Sequence, residues 1–240
     1  MENLKGKKVV VLGGSAGIGF ATAKAAANEG AEVIIVSSNQ QRIDKAVGEL
    51  PAGSKGIAVD LTDEAQIEKL FTEIGKFDHL VYTAGETLQL GNIADTAIDT
   101  AKQFFNVRYW GAFTSVKYAA PNINAGGSIV LTGGVAAERP GKGWSLGASI
   151  CAAMEGFTRA MAVELAPVRV NLVSPGLVKT DLWSAMTEAE REGMYGHYSE
   201  QLPVKYIAGP EDIAQTYIYL MQQKYNTGQV VVTDGGYVLI

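Results

Sequence analysis

The sequence predicts an α/β fold, a single Rossmann-type doubly wound parallel sheet of about seven strands with helices on both faces. Two observations predict it. Short runs of β-branched residues alternate with longer amphipathic segments along almost all of the 240 residues. Most of the short runs are continuously apolar, which is typical of parallel strands covered on both faces. Such alternation favours right-handed crossovers between neighbouring strands.

The strands are predicted from the apolar runs themselves. They cover Lys8–Leu12, Glu32–Val36, Gly56–Val59, His79–Tyr82, Ser128–Thr132, Arg169–Val173 and Gln229–Val232.

Helical spacing of apolar residues predicts helices in the segments between the strands. These helices cover Gly17–Glu29, Gln40–Leu50, Glu64–Ile74, Ala97–Pro121, Ser145–Ala166 and Glu211–Gln222. Residues 181–209 interrupt the alternation, and an insertion of this length is typical of either a lid or a packed surface excursion. We therefore expect one domain over residues 1–240, with a lid-like insertion at 181–209.

Composition restricts the function classes. The formal net charge is −5, so neither a nucleic acid nor a membrane surface is expected as the main partner. One Cys excludes an internal disulfide, and two His with one Cys are too few for a usual zinc site, so no metal is expected. No apolar run approaches the roughly 18 residues of a membrane span, and the N-terminus lacks a signal-peptide cleavage pattern. We expect a cytoplasmic protein.

The first predicted strand runs directly into a glycine-rich turn, "LGGSAGIG", and then into a helix. Glycines permit a tight turn and let backbone N–H groups approach a pyrophosphate at the helix N-terminus. The spacing G-x-x-x-G-x-G in this strand–turn–helix context predicts dinucleotide binding. The loop residues expected to contact the cofactor are Gly13, Ser15, Gly17, Ile18 and Gly19.

The same loop also matches G-x-S-x-G, the nucleophile elbow of serine hydrolases, with Ser15 as the nucleophile. That interpretation needs a histidine base, and the chain offers His79 and His197. His79 begins a strand and so lies at the wrong edge of the sheet, which leaves His197. A serine hydrolase is thus a remote alternative.

The end of the second predicted strand indicates which dinucleotide is bound. An acidic residue there would repel the 2′-phosphate of NADP(H). The chain instead has Ser37, Ser38 and Asn39, with Arg42 close behind and no acid before Asp44. Hydroxyl, amide and guanidinium donors suit a phosphate, so the sequence predicts NADP(H) in preference to NAD(H).

Several blocks of sequence together are typical of one enzyme family. They are "LGGSAGIG" at 12–19, "VDLTD" at 59–63, "HLVYTAG" at 79–85, "FNVRYWGAF" at 105–113, "GSIVLTGGVAA" at 127–137, "VRVNLVSPGLVKT" at 168–180, "GPEDIA" at 209–214 and "TDGG" at 233–236. With these blocks the chain resembles the short-chain dehydrogenase/reductase family over essentially its whole length. The resemblance implies an oxidoreductase, and it implies further cofactor contacts at the adenine, along the cleft and at the nicotinamide end. In that order they are Asp60 and Leu61, then Ala84 and Gly85, then Pro175, Gly176, Leu177 and Thr180.

The family's catalysis uses an Asn, a Ser, a Tyr and a Lys, the last two as Y-x-x-x-K on one helix. By resemblance the Asn falls on Asn106, but the Ser falls on Gly134, the Tyr on Gly147 and the Lys on Cys151. No Y-x-x-x-K occurs anywhere in the chain. A glycine has no side chain, and a thiol cannot replace an ammonium as a cationic donor.

Two interpretations of this site remain open. In the first, the protein is an oxidoreductase that passes hydride to a reactive small acceptor, which is a quinone, an imine or a carbonyl. Asn106 would then act with a substitute donor from the insertion, His197 or Tyr198, with Tyr195 and Tyr109 also considered. In the second, the protein binds NADP(H) without turnover, as a sensor or scaffold, and has no small-molecule substrate. The family usually assembles through two long helices, so we expect a homodimer or homotetramer formed by residues 97–121 and 145–166.

Overall fold

The computed structural model describes residues 3–88 and 90–240, and it confirms the predicted sheet. The strands lie in the spatial order β3-β2-β1-β4-β5-β6-β7, and every neighbouring pair is parallel. They are β1 (Lys8–Leu12), β2 (Glu32–Ser37), β3 (Lys55–Ala58), β4 (Phe77–Tyr82), β5 (Ile123–Thr132), β6 (Arg169–Pro175) and β7 (Val230–Thr233). Since β1 lies beside both β2 and β4, the order reverses at β1, where ligands of such sheets bind.

The helices follow the predicted order with two differences. They are α1 (Gly17–Asn28), α2 (Gln40–Glu49), α3 (Glu64–Ile74), α4 (Ile98–Gln103), α5 (Ala112–Ala119), α6 (Ser145–Glu164), α7 (Glu188–Gln201) and α8 (Pro210–Gln222). The long helix predicted over Ala97–Pro121 is divided, and the insertion at 181–209 contains the unpredicted helix α7. In the described part of the chain, no helix has both the length and the apolar character to cross a membrane.

Two apolar layers cover the two faces of the sheet. Alternate residues of each strand point to opposite faces, so Val9 and Val11 of β1 pack with α1, α2 and α8, whereas Val10 and Leu12 pack with α3, α5 and α6. All four of these β1 side chains are fully buried. The continuous apolar runs of the sequence therefore reflect a sheet with two covered faces.

A π-helical turn over Asn106–Gly111 separates α4 from α5. Such turns hold one more residue than an α-helical turn and are frequent at functional sites. Gly111 lies against the sheet here, because a Cβ added to it would lie 2.6 Å from the hydroxyl oxygen of Tyr82 and 2.7 Å from the carbonyl oxygen of Leu61. The turn thus directs residues 106–111 towards the carboxyl edge of β4.

Candidate active site

The glycine loop after β1 has the form that a dinucleotide requires. Gly13 has φ +86°, and a Cβ added to it would lie 2.6 Å from the backbone nitrogen of Ala84. Ala16 precedes α1 without a side-chain cap, and the first turn of α1 holds no acidic residue. The N–H groups of this turn are therefore available to an anion, which the helix dipole also favours. These features fit the pyrophosphate of a dinucleotide.

The segment after β6 closes over this loop. A Cβ added to Gly17 would lie 3.6 Å from Cγ2 of Thr180, so the two predicted cofactor contacts face each other. Beside Thr180 lies a cavity of about 390 Å³, which we call the outer cavity. Its lining consists of Lys179, Thr180, Asp181, Ser184, Arg191 and Tyr195. Pro175, Gly176 and Leu177 precede it and are partly buried.

The residues after β2 leave Arg42 accessible. Oδ1 of Asn39 accepts a hydrogen bond of 3.0 Å from the backbone N–H of Arg42 and so caps α2. Asp44 accepts a bond of 2.7 Å from the side-chain amide of Gln40. Within residues 3–88 and 90–240 the exposed guanidinium of Arg42 has no ion-pair partner. Ser37 is partly buried and Ser38 is exposed beside it.

The loop after β3 brings Asp60 and Leu61 to the same edge of the sheet. Oδ1 of Asp60 accepts hydrogen bonds from the backbone and hydroxyl of Thr62, of 2.9 and 2.8 Å. Leu61 is buried beneath it, while Asp60 is exposed. One carboxylate oxygen of Asp60 is thus held by the loop, and the other faces solvent.

Gly134, Gly147 and Cys151 lie around the start of α6, at the edge formed by β5. A Cβ added to Gly134 would lie 3.2 Å from Sγ of Cys151, so these two positions face each other. The indole of Trp144 lies over Gly147, where an added Cβ would be 3.3 Å from Cε3. Burial raises the pKa of the Cys151 thiol to about 11, although the nearby Arg108 guanidinium opposes the shift. The thiol is therefore neutral at physiological pH.

Next to Cys151 lies a small inner cavity of about 30 Å³. Its lining consists of Tyr82, Thr83, Ala84, Arg108, Thr132, Gly133, Ile150, Cys151 and Met154. Among these described residues only Arg108 carries a charge. No three His, Cys, Asp or Glu side chains in the described part of the chain are arranged to hold a metal ion.

Arg108 is the site residue that the sequence analysis missed. Its guanidinium lies against Gly85, since a Cβ added to Gly85 would be 2.6 Å from Cζ. Asn106, two residues earlier, is exposed and does not line the inner cavity. The available signal was an arginine within the otherwise apolar and aromatic run "VRYWGAF". The π-helical turn places this arginine, rather than Asn106, towards Ala84 and Cys151.

The substitute donors considered from the sequence lie elsewhere. Nε2 of His197 is 2.8 Å from the side-chain amide of Gln201 on the exposed face of α7. The ring of Tyr198 packs on Tyr237, with centroids 5.5 Å apart. Tyr109 packs on Phe157, at 6.1 Å. None of these three lines either cavity, so the structure does not bring His197 or Tyr198 together with the inner cavity.

Tyr195 differs from these candidates because it lines the outer cavity. Its ring is 7 % exposed, and Nζ of Lys179 lies 5.3 Å from the ring centroid. Burial raises the pKa of its hydroxyl. Tyr195 is thus the one insertion tyrosine, among the described residues, that reaches a candidate substrate space.

The two histidines that the hydrolase alternative could use as a base have other partners in this structure. Nδ1 of the buried His79 lies 2.9 Å from Oγ of Ser128, within the sheet. His197 is held by Gln201 on α7.

The fold and the glycine loop define an α/β protein that binds a dinucleotide, and comparisons with known proteins specify its family. A family model described as enoyl-(acyl carrier protein) reductase matches residues 13–238. A short-chain dehydrogenase/reductase of Gibberella fujikuroi, fsr5, is 35% identical over 100% of this chain and 97% of its own. The chain is an oxidoreductase of the short-chain dehydrogenase/reductase family.

Solved structures agree with this assignment. A small-chain dehydrogenase in complex with NADPH superposes with a TM-score of 0.86 at 34% identity, over 98% of this chain and 100% of that one. The MalC reductase/Diels-Alderase from Malbranchea aurantiaca gives a TM-score of 0.92 at 30% identity, over 99% and 98%. The resemblance inferred from the sequence blocks is therefore confirmed at the level of family and fold.

Proposed function

We propose that the protein is an NADP(H)-dependent oxidoreductase with a non-standard active site, which transfers hydride to a reactive small acceptor. The observation that carries the proposal is the glycine loop, where Gly13 lies too close to Ala84 for any side chain and α1 begins without a cap. When bound, the nicotinamide supplies the hydride. The chain's own residues hold the dinucleotide and position the acceptor.

The non-standard character follows from the residues at positions 134, 147 and 151. Two glycines offer no side chain there, and the neutral thiol of Cys151 is a weak donor and not a cation. Loss of general acid catalysis costs about 10²–10⁴ in rate, which a good hydride acceptor can tolerate. The outer cavity of about 390 Å³ has the size of a small-molecule site and supports the binding of an acceptor there. We propose that residues 181–209 act as its lid.

A preference for NADP(H) is supported by the environment of Arg42. The guanidinium is exposed, Asp44 is engaged by Gln40, and no acidic side chain ends β2. A phosphate accepts strong charge-assisted bonds from a guanidinium. The NADPH complex of a related dehydrogenase is consistent with the same preference.

Fluorescence titration with NADPH and NADH tests this proposal. We expect NADPH to bind at least about tenfold more tightly, and Arg42→Ala to lose about tenfold for NADPH while binding of NADH is unchanged. Lys45→Ala, on the same helix, is the matched control and should bind like the wild type. If neither dinucleotide binds, the proposal is overturned.

One observation favours the second candidate, a sensor or scaffold without turnover. The indole of Trp144 lies against Gly147, where the family's tyrosine would lie, and would have to shift to admit a side chain there. Oxidation of NADPH in the presence of quinones, imines or carbonyls separates the two functions. Loss of nicotinamide absorbance supports the oxidoreductase, and binding without any loss supports the sensor.

We also propose that the protein forms a homodimer or homotetramer through residues 97–121, which include the π-helical turn and α5, and residues 145–166, which include α6. An aromatic cluster lies there, in which Phe113 packs on Phe157 at 5.4 Å and Trp110 packs on Tyr109 at 5.0 Å. Trp110 is 55% exposed and Phe113 is 41% exposed. Exposed aromatic patches of this kind are typical of subunit contacts.

A cytoplasmic location remains a proposal that the single Cys and the composition support.

A further inference from the structure

The outer cavity carries an excess of positive charge. Its charged lining residues are Lys179, Arg191 and Asp181, so two cations face one carboxylate. Within the part of the chain that the structure describes, none of the three forms an ion pair with another residue. The chain as a whole has a formal net charge of −5, so the positive charge at this cavity is a local feature.

The guanidinium of Arg191 is fixed at one edge and open at the other. Nη1 donates a hydrogen bond of 2.8 Å to the backbone oxygen of Met186, and the side chain is partly buried. Nε and Nη2 make no hydrogen bond with any described residue. These two N–H groups point in the same direction and form the planar fork that binds both oxygens of a carboxylate.

The ammonium of Lys179 reaches the same cavity from the segment after β6. Its Nζ lies 5.3 Å from the ring centroid of Tyr195, a contact that restrains the charge over the ring. Tyr195 lies one helical turn after Arg191 on α7, so both project from the same face of that helix. The nearby Arg191 guanidinium also lowers the pKa of the Tyr195 hydroxyl, in opposition to burial. The two cations therefore converge around Tyr195.

The hydroxyl of Tyr195 adds a donor without a partner. Tyr195 is 7% exposed, and its hydroxyl makes no hydrogen bond with any residue described here. Buried tyrosines usually have a partner for this group. Because Tyr195 lines the outer cavity, a ligand in that cavity can accept the missing hydrogen bond.

We infer that the outer cavity binds a single carboxylate group, and that the hydride acceptor is an ionised carboxylic acid whose reducible group lies elsewhere in the molecule. Arg191 and Lys179 are the specificity-determining residues. The inference rests on the proposed function, because it takes the ligand of the outer cavity to be the acceptor. The carboxylate itself undergoes no reaction and holds the molecule in place.

The charge of the lining fits an anion of one charge. A bound carboxylate neutralises the excess left by the two cations and Asp181. A phosphate monoester carries a charge of about −1.5 to −2 and would leave negative charge unpaired beside Asp181. A neutral ligand would leave both cations without an ionic partner.

The position of the cavity fits an acceptor. Thr180 belongs to its lining, and Cγ2 of Thr180 is 3.6 Å from a Cβ added to Gly17 in the glycine loop. A ligand of the outer cavity thus lies beside the expected cofactor site. The volume of about 390 Å³ holds the rest of a small molecule together with its carboxylate.

Calorimetry tests the inference with two flat ligands of the same shape. Naphthalene-2-carboxylate and naphthalene-2-carboxamide are titrated into the protein with saturating NADP+ and, separately, without dinucleotide. We expect the carboxylate to bind at least about tenfold more tightly than the carboxamide, because only the carboxylate pairs with the cations. Equal affinities, or binding of neither ligand, would overturn the inference.

Variants of the three charged residues should act in opposite directions. Arg191→Gln and Lys179→Gln should each weaken binding of the carboxylate about tenfold and leave the carboxamide unchanged, whereas Asp181→Asn should strengthen binding of the carboxylate. Arg191→Lys keeps the charge and should bind the carboxylate better than Arg191→Gln. Lys205→Gln is the control, since Lys205 belongs to the same insertion and its Nζ donates to the backbone oxygen of Glu200.

Three further outcomes would contradict the inference. If Arg191→Gln or Lys179→Gln weakens NADPH binding as much as carboxylate binding, the cations serve the dinucleotide. If 2-naphthyl phosphate binds more tightly than naphthalene-2-carboxylate, the site is not built for a single charge. If Asp181→Asn and Lys205→Gln have the same effect, the lining charge is unimportant. Should Arg191→Gln unfold, Lys179→Gln and Asp181→Asn still decide the question, because both replaced side chains are exposed.

Steady-state kinetics then test whether the carboxylate belongs to the acceptor. With NADPH, 4-carboxybenzaldehyde should show a KM at least about tenfold below that of its uncharged methyl ester, and Arg191→Gln should remove this difference with little change in kcat. Equal KM values would overturn the assignment of the acceptor. Carboxylate preference in calorimetry without any binding of NADPH would instead overturn the proposed function alone.

Discussion

The ring of Trp144 lies against Gly147, so that a Cβ added to Gly147 would be 3.3 Å from Cε3 of the indole. Trp144 also contacts Trp183, with ring centroids 6.4 Å apart, and both belong to the apolar cluster beneath residues 181–209. Residues 181–209 are thus joined to the start of α6 through an aromatic pair. A side chain at position 147 and the indole at position 144 compete for the same space.

The first prediction concerns that competition. Gly147→Tyr should lower the free energy of unfolding by about 1–3 kcal/mol, because the indole of Trp144 must move. Gly156→Tyr on the same helix has no atom within 4 Å of an added Cβ and should be neutral or slightly stabilising. Urea denaturation measures both. If Trp144→Ala combined with Gly147→Tyr recovers none of the loss, the indole is not the competing group.

The second prediction concerns the close approach of Gly13 to Ala84. Gly13→Ala should cost more than about 2 kcal/mol of stability and abolish NADPH binding, because the new Cβ strikes backbone as well as requiring φ +86°. Gly53→Ala measures the cost of the positive φ alone. Its φ is +97° and no atom lies within 4 Å, so it should cost only about 1 kcal/mol and leave binding unchanged. Equal losses in the two variants would show that the approach to Ala84 is unimportant.

The sheet was predictable from the sequence because each strand is a local apolar run with two covered faces. All six predicted helices begin within one residue of an observed helix, and β1 and α3 have the predicted bounds. The glycine loop was predictable for the same reason, because a single turn of backbone forms it. The strands and the loop both depend on residues that are close together in the sequence.

The π-helical turn was not predictable in the same way. Apolar spacing over Ala97–Pro121 indicated one continuous helix, but the turn at Asn106–Gly111 adds a residue and rotates the faces that follow. Its cause is non-local, because Gly111 approaches the hydroxyl of Tyr82 on β4. Asn106 was expected from the family resemblance, whereas the structure leaves Asn106 exposed and places Arg108 at the inner cavity.

The third prediction concerns pH. The pKa of the Cys151 thiol is raised to about 11 by burial, so the folded state favours the neutral thiol. The associated stability is present below the unfolded pKa of about 8.5 and is lost as the pH rises towards about 11. The unfolding free energies of the wild type and of Cys151→Ala are measured from pH 8 to 11. Over this range the unfolding free energy of the wild type should fall by about 2–3 kcal/mol relative to that of Cys151→Ala. If the difference between the two unfolding free energies does not change with pH, the thiol of Cys151 is not held neutral by burial.

The raised pKa of the Cys151 thiol also affects its reactivity. Iodoacetamide reacts with the thiolate, and Cys151 is the only cysteine of the chain. Alkylation of the native protein should therefore be slow at pH 8 and rise steeply towards pH 11, as followed by intact mass. In denaturant the same thiol should react readily at pH 8, which controls for the reagent. Rapid labelling of the native protein at pH 8 would contradict the raised pKa.

The last prediction concerns the aromatic face of α5 and α6. If Trp110 and Phe113 form the centre of a subunit contact, replacing either by Ser removes a large apolar anchor that costs about 2 kcal/mol at an interface. Subunit association should then weaken about 30-fold, as measured by sedimentation equilibrium. Tyr225→Ser is the control, because Tyr225 is 96% exposed and lies outside this cluster. A wild type that is monomeric at micromolar concentration, or a Trp110→Ser variant that associates unchanged, would contradict the proposed contact and leave these aromatic rings as a solvent-facing part of the π-helical turn and α5.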